Sequence, residues 1–121
     1  MKKALLLGLL VLAQSAFADD AFTPAKIKQN ASLDPDLNAI GSATEVSYVT
    51  GVVNSMLALQ NNNLAPRLLC FPATVQAVDV KNAILAADAT TFANTNEGGV
   101  IFIASTLVNK FPCTQTAQPA K

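Results

Sequence analysis

Two cysteines, Cys70 and Cys113, are the side chains of this 121-residue chain best suited to covalent chemistry. A cysteine can act as a nucleophile, bind a metal ion or form a disulfide. The chain contains no histidine, so it lacks both the usual base that activates a thiol and the commonest metal ligand. Two cysteines alone do not complete a zinc site. We therefore predict no catalytic residue, no metal site and no cofactor, and we expect that the protein is not an enzyme.

The first 18 residues indicate the compartment in which these cysteines act. Lys2 and Lys3 precede an apolar run from Ala4 to about Leu12, and the small residues Ala16-Phe17-Ala18 follow. This is the pattern of a secretory signal peptide, with cleavage expected after Ala18. An uncleaved anchor is the alternative, although the apolar run is shorter than the roughly 20 residues that span a bilayer.

Export makes a disulfide the expected state of the two cysteines. In an oxidising compartment, a pair of cysteines in a small domain usually forms one bridge. A Cys70–Cys113 bridge would stabilise the fold by about 4 kcal/mol in the chain-entropy account. Two free buried thiols are the alternative.

Charge and composition exclude several classes of partner. The precursor has 8 basic and 8 acidic residues, and removal of Lys2 and Lys3 leaves 6 basic residues against 8 acidic ones. A slightly acidic chain has no electrostatic attraction to nucleic acid, or to an anionic membrane once the signal peptide is removed. Because 51% of the residues are hydrophobic and 13% are charged, we expect one compact domain.

Residues 19–42 are predicted to form a loosely packed N-terminal arm with a short helix. Asp34 would cap this helix and Pro35 would occupy its first position. Residues 43–113 are predicted to form a helical domain, and residues 114–121 a flexible tail.

Apolar residues at steps of three and four predict helices over about 44–59 and 75–89. Gly51 would allow close approach of a neighbouring helix, and Lys81 would be an exposed base. Asn94 and Glu97 have the spacing of a capping box before the last element. That element, from Val100, is β-branched at its start but keeps helical spacing for longer than a strand would, which favours a helix.

These elements predict an all-α fold, a small helical bundle stapled by one disulfide. The apolar faces of three helices exceed what one small core can cover, so we predict a homodimer. A non-catalytic exported domain generally works by binding, through loops that a rigid scaffold holds. The candidate loops are 60–67 and 90–99, although plain helix connectors are an equal alternative. The partner-binding candidates on them are Asn61, Asn62, Asn63, Arg67, Thr91, Asn94, Asn96 and Glu97.

Three stretches, in order and spacing, resemble the Rap/Tai immunity proteins of type VI secretion. They are YVTGVVNSM (48–56), CFPATVQAVDV (70–80) and ASTLVNKFPC (104–113). Tyr48 and Gly51 match the first family element, Cys70 and Pro72 match the second, and the Phe-Pro-Cys ending at 111–113 matches the third. The chain departs from the family at Glu45 and Ser47, where relatives commonly carry another cysteine pair, and Ser47 replaces the usual glycine before the tyrosine.

The resemblance implies a small all-α periplasmic protein, often dimeric, and a helical last element. Such proteins bind peptidoglycan amidases that neighbouring bacteria deliver into the periplasm. A protruding loop or helix edge occupies the cleft of the amidase and keeps its catalytic cysteine and histidine from the peptide stem. The expected partner is therefore an amidase effector. The alternatives are a non-catalytic periplasmic binding or envelope-assembly protein and a chaperone of the acid-stress kind, for which the chain has few titratable groups.

Overall fold

The computed structural model describes residues 21–114. Within them the chain forms helices α1 (Pro24–Leu33), α2 (Ala43–Asn61), α3 (Ala77–Ala86) and α4 (Asn96–Lys110), with a 3-10 helix at Ala89–Thr91. No β-strand forms between residues 21 and 114, where a single antiparallel bridge joins Leu69 to Pro112. The predicted all-α fold is confirmed. The predicted signal peptide and residues 115–121 of the predicted tail lie outside the described residues.

Helix α1 precedes Asp34 instead of following it, which corrects the prediction for this segment. Thr23 is the N-cap, with its hydroxyl accepting from the Lys26 amide at 3.3 Å, and Pro24 lies in the first turn. Asp34 ends the helix, and its carboxylate accepts from the Asp36 amide at 2.9 Å to form a turn. Thr-Pro and Asp-Pro both supply a cap and a fixed φ, so the local signal does not distinguish them.

The N-terminal segment is packed against the bundle, so the prediction of a loose arm is wrong. Ile27 and Ala31 of α1 are buried in the core. The Phe22 ring stacks on the Tyr48 ring of α2 with centroids 4.1 Å apart, and the Phe22 amide donates to the Asn96 side chain at 2.8 Å. Burial of apolar surface therefore fixes this segment to α2 and α4.

Helix α4 lies at the centre of the fold and contacts each of the other three helices. Phe102, Ile103 and Leu107 are fully buried on it, which confirms the helical interpretation of the β-branched stretch. Its N-cap is Thr95, whose hydroxyl accepts from the Gly98 amide at 3.0 Å. The predicted cap at Asn94 is wrong by one residue, because Thr95 has the same capping chemistry.

Two glycines at the start of α4 allow the backbone to approach closely. A Cβ on Gly99 would overlap the carbonyl of Phe22, and one on Gly98 would overlap the carbonyl of Ala93. Gly51 is different, because it is exposed on α2 and a Cβ there would meet no atom of the described residues within 4 Å. The predicted close approach at Gly51 does not occur within the described residues.

Lys81 is buried, which corrects the prediction of an exposed base. The side chain is 4% exposed, and its ammonium donates to the carbonyls of Asp34 and Asp36 at 2.6 and 2.7 Å. Lys81 therefore ties α3 to the turn after α1. These partners are more than 40 residues away in sequence, so helical periodicity could not reveal them.

Helix α3 is shorter than the predicted range of 75–89. The Gln76 amide donates to the Asp79 carboxylate at 2.8 Å at its start. The helix ends at Ala86, and Asp88 caps the 3-10 helix that follows. No helix between residues 21 and 114 has the length and hydropathy to cross a membrane.

Candidate functional site

The loop Asn61–Leu68, which we call the α2 loop, leaves the end of α2 and returns to the core at Leu69. Gln60 is buried beneath it, and its side chain makes three hydrogen bonds to the returning chain. Its carboxamide oxygen accepts from the amides of Leu68 and Leu69 at 3.3 and 3.2 Å, and its nitrogen donates to the Leu69 carbonyl at 2.6 Å. One side chain therefore satisfies the backbone amides of Leu68 and Leu69 and the carbonyl of Leu69.

A disulfide closes the base of the same loop. Cys70 and Cys113 are bonded, with Cα atoms 4.9 Å apart, as the sequence predicted. On both sides of the disulfide the backbone is paired, from the Cys70 amide to the Phe111 carbonyl at 2.9 Å and from the Cys113 amide to the Leu68 carbonyl at 3.3 Å. The base of the α2 loop is therefore fixed covalently to the end of α4.

The tip of the loop presents an apolar side chain. Leu64 is 74% exposed and Leu68 is 51% exposed. Asn63 has a φ of 60°, in the left-handed region that asparagine tolerates, and this turn is closed by a 2.8 Å bond from the Leu64 amide to the Leu59 carbonyl. Leu64 is thus held outward on a defined backbone.

The predicted polar residues of this loop lie on both sides of Leu64 in the sequence. Asn62 ends α2, with its side-chain amide donating to the Ala58 carbonyl at 2.7 Å. Arg67 lies 3.4 Å from the Asn61 carboxamide oxygen, and both are exposed. A recess of about 640 Å³ opens between the loop and the chain after the disulfide. It is lined by Gln60, Asn63, Leu64, Ala65, Pro66, Arg67, Cys113 and Thr114.

The second predicted loop, residues 90–99, contributes mostly to the fold. The carboxamide oxygen of Asn96 accepts from the Phe22 amide, and the Asn96 carbonyl accepts from the Tyr48 hydroxyl at 3.1 Å. Burial raises the pKa of Tyr48 above its usual 10.0, which keeps this donor protonated. Asn96 is therefore half-buried, and both its side chain and its carbonyl are used in contacts within the fold.

The other candidates in that loop are exposed but are not gathered into one surface with the α2 loop. Asn94 and Glu97 lie at the start of α4, whereas Arg67 lies beside Cys113, past its end. A helix of 15 residues spans about 22 Å. Thr91 lies at the end of the 3-10 helix, beside a different recess.

Leu64, Leu68 and Gln60 are the residues of this site that the sequence analysis did not name. Leu64 and Leu68 are apolar residues in or next to a polar, proline-containing stretch. That contrast was the signal from which their exposure on a loop could have been predicted. Nothing local indicates that the Gln60 carboxamide would turn back on residues 68 and 69.

The chain matches no protein-family model, no curated protein and no solved structure. Among residues 21–114, no three histidine, cysteine or acidic side chains come together in a group that could hold a metal ion.

Proposed function

We propose that this chain is a periplasmic immunity protein that binds a type VI secreted peptidoglycan amidase and occludes its active site with the α2 loop. The observation that carries the proposal is the exposure of Leu64 at the tip of a loop whose base is held by Gln60 and by the Cys70–Cys113 bridge.

A loop with a fixed backbone is well suited to occupy the cleft of an enzyme. Binding costs free energy for each side chain and loop that must become ordered, and a fixed backbone lowers that cost. An exposed leucine that enters a partner's pocket then contributes about 1.5 to 3 kcal/mol from burial. Because Gln60 and the disulfide hold the base of the α2 loop, the loop is better suited to enter a cleft as a rigid segment than to act as a plain helix connector.

The chemistry of the loop also fits an enzyme cleft. Between Gln60 and Leu69, Arg67 is the only charged side chain, and the rest are amides, leucines, alanine and proline. Amides pair with exposed peptide groups because each provides donors and an acceptor. Such a surface can enter a groove that is built to hold a peptide.

The proposed compartment rests on two features. The disulfide is compatible with an oxidising environment, which the periplasm provides. The first 18 residues have the pattern of a signal peptide.

The test begins with the neighbouring genes: a peptidoglycan amidase encoded beside this gene is assayed for inhibition by the purified mature protein and by its Leu64→Ala variant. We expect the variant to inhibit about 10- to 100-fold more weakly, because it loses the buried contact of one leucine. Leu37→Ala is the matched control, since Leu37 is 65% exposed on the loop after α1. Equal inhibition by both variants, with unchanged melting temperatures, would place the inhibitory surface elsewhere.

We also propose a homodimer formed through the groove between α2 and α4. Its lining is uncharged and includes the exposed residues Gly51, Leu59 and Val100, around a space of about 530 Å³. Exposed apolar grooves of this kind often mark association surfaces. Sedimentation should give twice the monomer mass at micromolar concentration, and Gly51→Glu should give the monomer. A monomeric mass for the unmodified protein contradicts this part of the proposal.

A further inference from the structure

A second recess lies between α3 and α4, away from the α2 loop. It has a volume of about 610 Å³, and Thr91 of the 3-10 helix and Phe92 contribute to its lining. Three alanines of and after α3 line it opposite the polar side chains of α4. Because alanine side chains are short, the two helices leave an open cleft there.

Polar side chains that are not used by the fold line this cleft. Asn82 on α3 and Asn109 on α4 are both exposed, and neither side chain has a hydrogen-bond partner among residues 21–114. Thr106 lies deeper, at 8% exposure. A carboxamide offers two donors and an acceptor, which is the combination that a peptide group requires.

Opposite charges line the cleft. Lys110 is the last residue of α4, and Asp88 follows α3 and caps the 3-10 helix. Both are exposed and both belong to the lining of this recess. A cation and an anion therefore face the same cleft, where a ligand that carries both charges can reach them.

Asp88 is held in its ionised form. One oxygen, Oδ1, accepts from the Thr90 hydroxyl at 2.6 Å and from the Thr90 amide at 2.9 Å. These bonds lower the pKa of Asp88, in that order, and the positive charge of Lys28 contributes less. Lys28 itself donates to the Ala87 carbonyl. The second oxygen, Oδ2, has no hydrogen-bond partner among residues 21–114.

We propose that this cleft binds a short zwitterionic peptide of small residues, with its carboxylate at Lys110 and its ammonium group at Asp88. Asn82 and Asn109 hydrogen-bond its peptide groups between its two ends, and the alanine side chains admit small residues. A neutral sugar would form an ion pair with neither charge, so a peptide is the ligand that the lining favours. The α2 loop takes no part in this site.

The experiment is an amide chemical-shift titration of the full mature protein with tetra-alanine that has free ends. We expect saturable shifts confined to the cleft, with a dissociation constant of about 1 mM or tighter. A Lys110→Gln variant should bind about tenfold more weakly, because it loses a charge-assisted hydrogen bond. Lys26→Gln, an exposed lysine on α1, is the matched control and should bind as the unmodified protein does.

Modified peptides test the two ends without a change in the protein. N-acetylated tetra-alanine removes the ammonium group, and the C-terminal amide removes the carboxylate. Each should bind several-fold more weakly than the free peptide. Equal binding of the capped peptides, equal binding of a neutral disaccharide such as diacetylchitobiose, or no saturable shift up to about 10 mM would overturn the proposal. Leu64→Ala should leave the titration unchanged, so failure here is distinct from failure of the amidase test.

Discussion

Lys81 is a charged side chain that the fold places in its interior. A buried ammonium is tolerated when hydrogen bonds replace its water, and here two backbone carbonyls do so. The side chain extends from α3, and its ammonium reaches the turn at Asp34 and Asp36. The residue is therefore a structural link between α3 and the segment after α1.

Replacement of Lys81 by methionine should lower the free energy of unfolding by about 1 to 2 kcal/mol. Methionine keeps most of the stem but leaves the two carbonyls without their donor. Lys26→Met, at an exposed position on α1, should change stability by less than about 0.5 kcal/mol. Urea unfolding measures the free energy of unfolding of both variants. Equal values for the two would contradict a structural role for Lys81.

Tyr48 makes the stability of the fold depend on pH in the alkaline range. Burial raises its pKa above 10.0, so the folded state holds the phenolic proton more tightly than the unfolded state does. This contribution to stability is fully present below the unfolded pKa. It is lost as the pH rises through the higher folded pKa.

A Tyr48→Phe variant should be less stable by about 0.5 to 1.5 kcal/mol at pH 8, because the hydrogen bond to the Asn96 carbonyl is lost. The difference from the unmodified protein should narrow above about pH 10, where the tyrosine begins to ionise. Urea unfolding of both proteins at several pH values measures it. A difference that stays constant up to about pH 11 would contradict this account.

At the scale of elements, the approach of the N-terminal segment to α4 depends on Gly99. Alanine there would overlap the Phe22 carbonyl, so the backbone before α1 would have to move. Gly99→Ala should therefore destabilise the protein by about 1 to 3 kcal/mol. At a concentration at which the protein is monomeric, Gly51→Ala should instead stabilise it by about 0.5 to 1 kcal/mol, because a Cβ at that helical position meets no atom of residues 21–114 within 4 Å. In thermal unfolding, we expect the melting temperature to fall for Gly99→Ala and to rise for Gly51→Ala. A change in the same direction for both variants would contradict the packing described for Gly99.

Much of the element structure could be predicted from local patterns. The steps of three and four from Val100 onward outweighed the β propensity of Val-Ile-Phe-Ile, and α4 is a helix. Ser42 caps α2, and serine is among the residues preferred at that position. The local rules failed where two similar signals compete, as at Thr23-Pro24 and Asp34-Pro35. The sequence alone does not indicate which of these two helix starts is compatible with the tertiary packing.

The candidate site was predictable only in part, for the same reason. The polar stretch 60–67 indicated the α2 loop, and the two cysteines of a chain predicted to be exported indicated the disulfide at its base. The exposure of Leu64 could not be predicted, because it depends on how Gln60 folds the returning chain beneath the loop. The long-range hydrogen bond between Asn96 and Phe22 likewise could not be predicted, and it makes Asn96 a half-buried residue of the fold instead of a freely exposed one.

At the scale of the whole molecule, the disulfide joins the segment before α3 to the chain that follows α4. It closes a loop of 43 residues between the start of the α3 segment and the end of α4. In the chain-entropy account, a loop of this size contributes about 4 kcal/mol, which is a large part of the stability of a small domain.

Reduction of the purified protein should raise its intact mass by two hydrogens and lower its melting temperature substantially. A Cys70→Ser, Cys113→Ser double variant should reproduce that loss without a reducing agent. Mass spectrometry and thermal unfolding together measure it. Unchanged stability after complete reduction would show that the hydrogen bonds of Gln60 and the Leu69–Pro112 bridge are sufficient by themselves.

The central claim is that this protein neutralises a peptidoglycan amidase in the periplasm. The measurement that tests it most directly is lysis of cells in which the amidase encoded beside this gene is exported, with and without this protein. We predict lysis without it, and survival together with a stable purified complex when it is co-exported. Continued lysis with folded, oxidised protein present and no complex would contradict the proposed function.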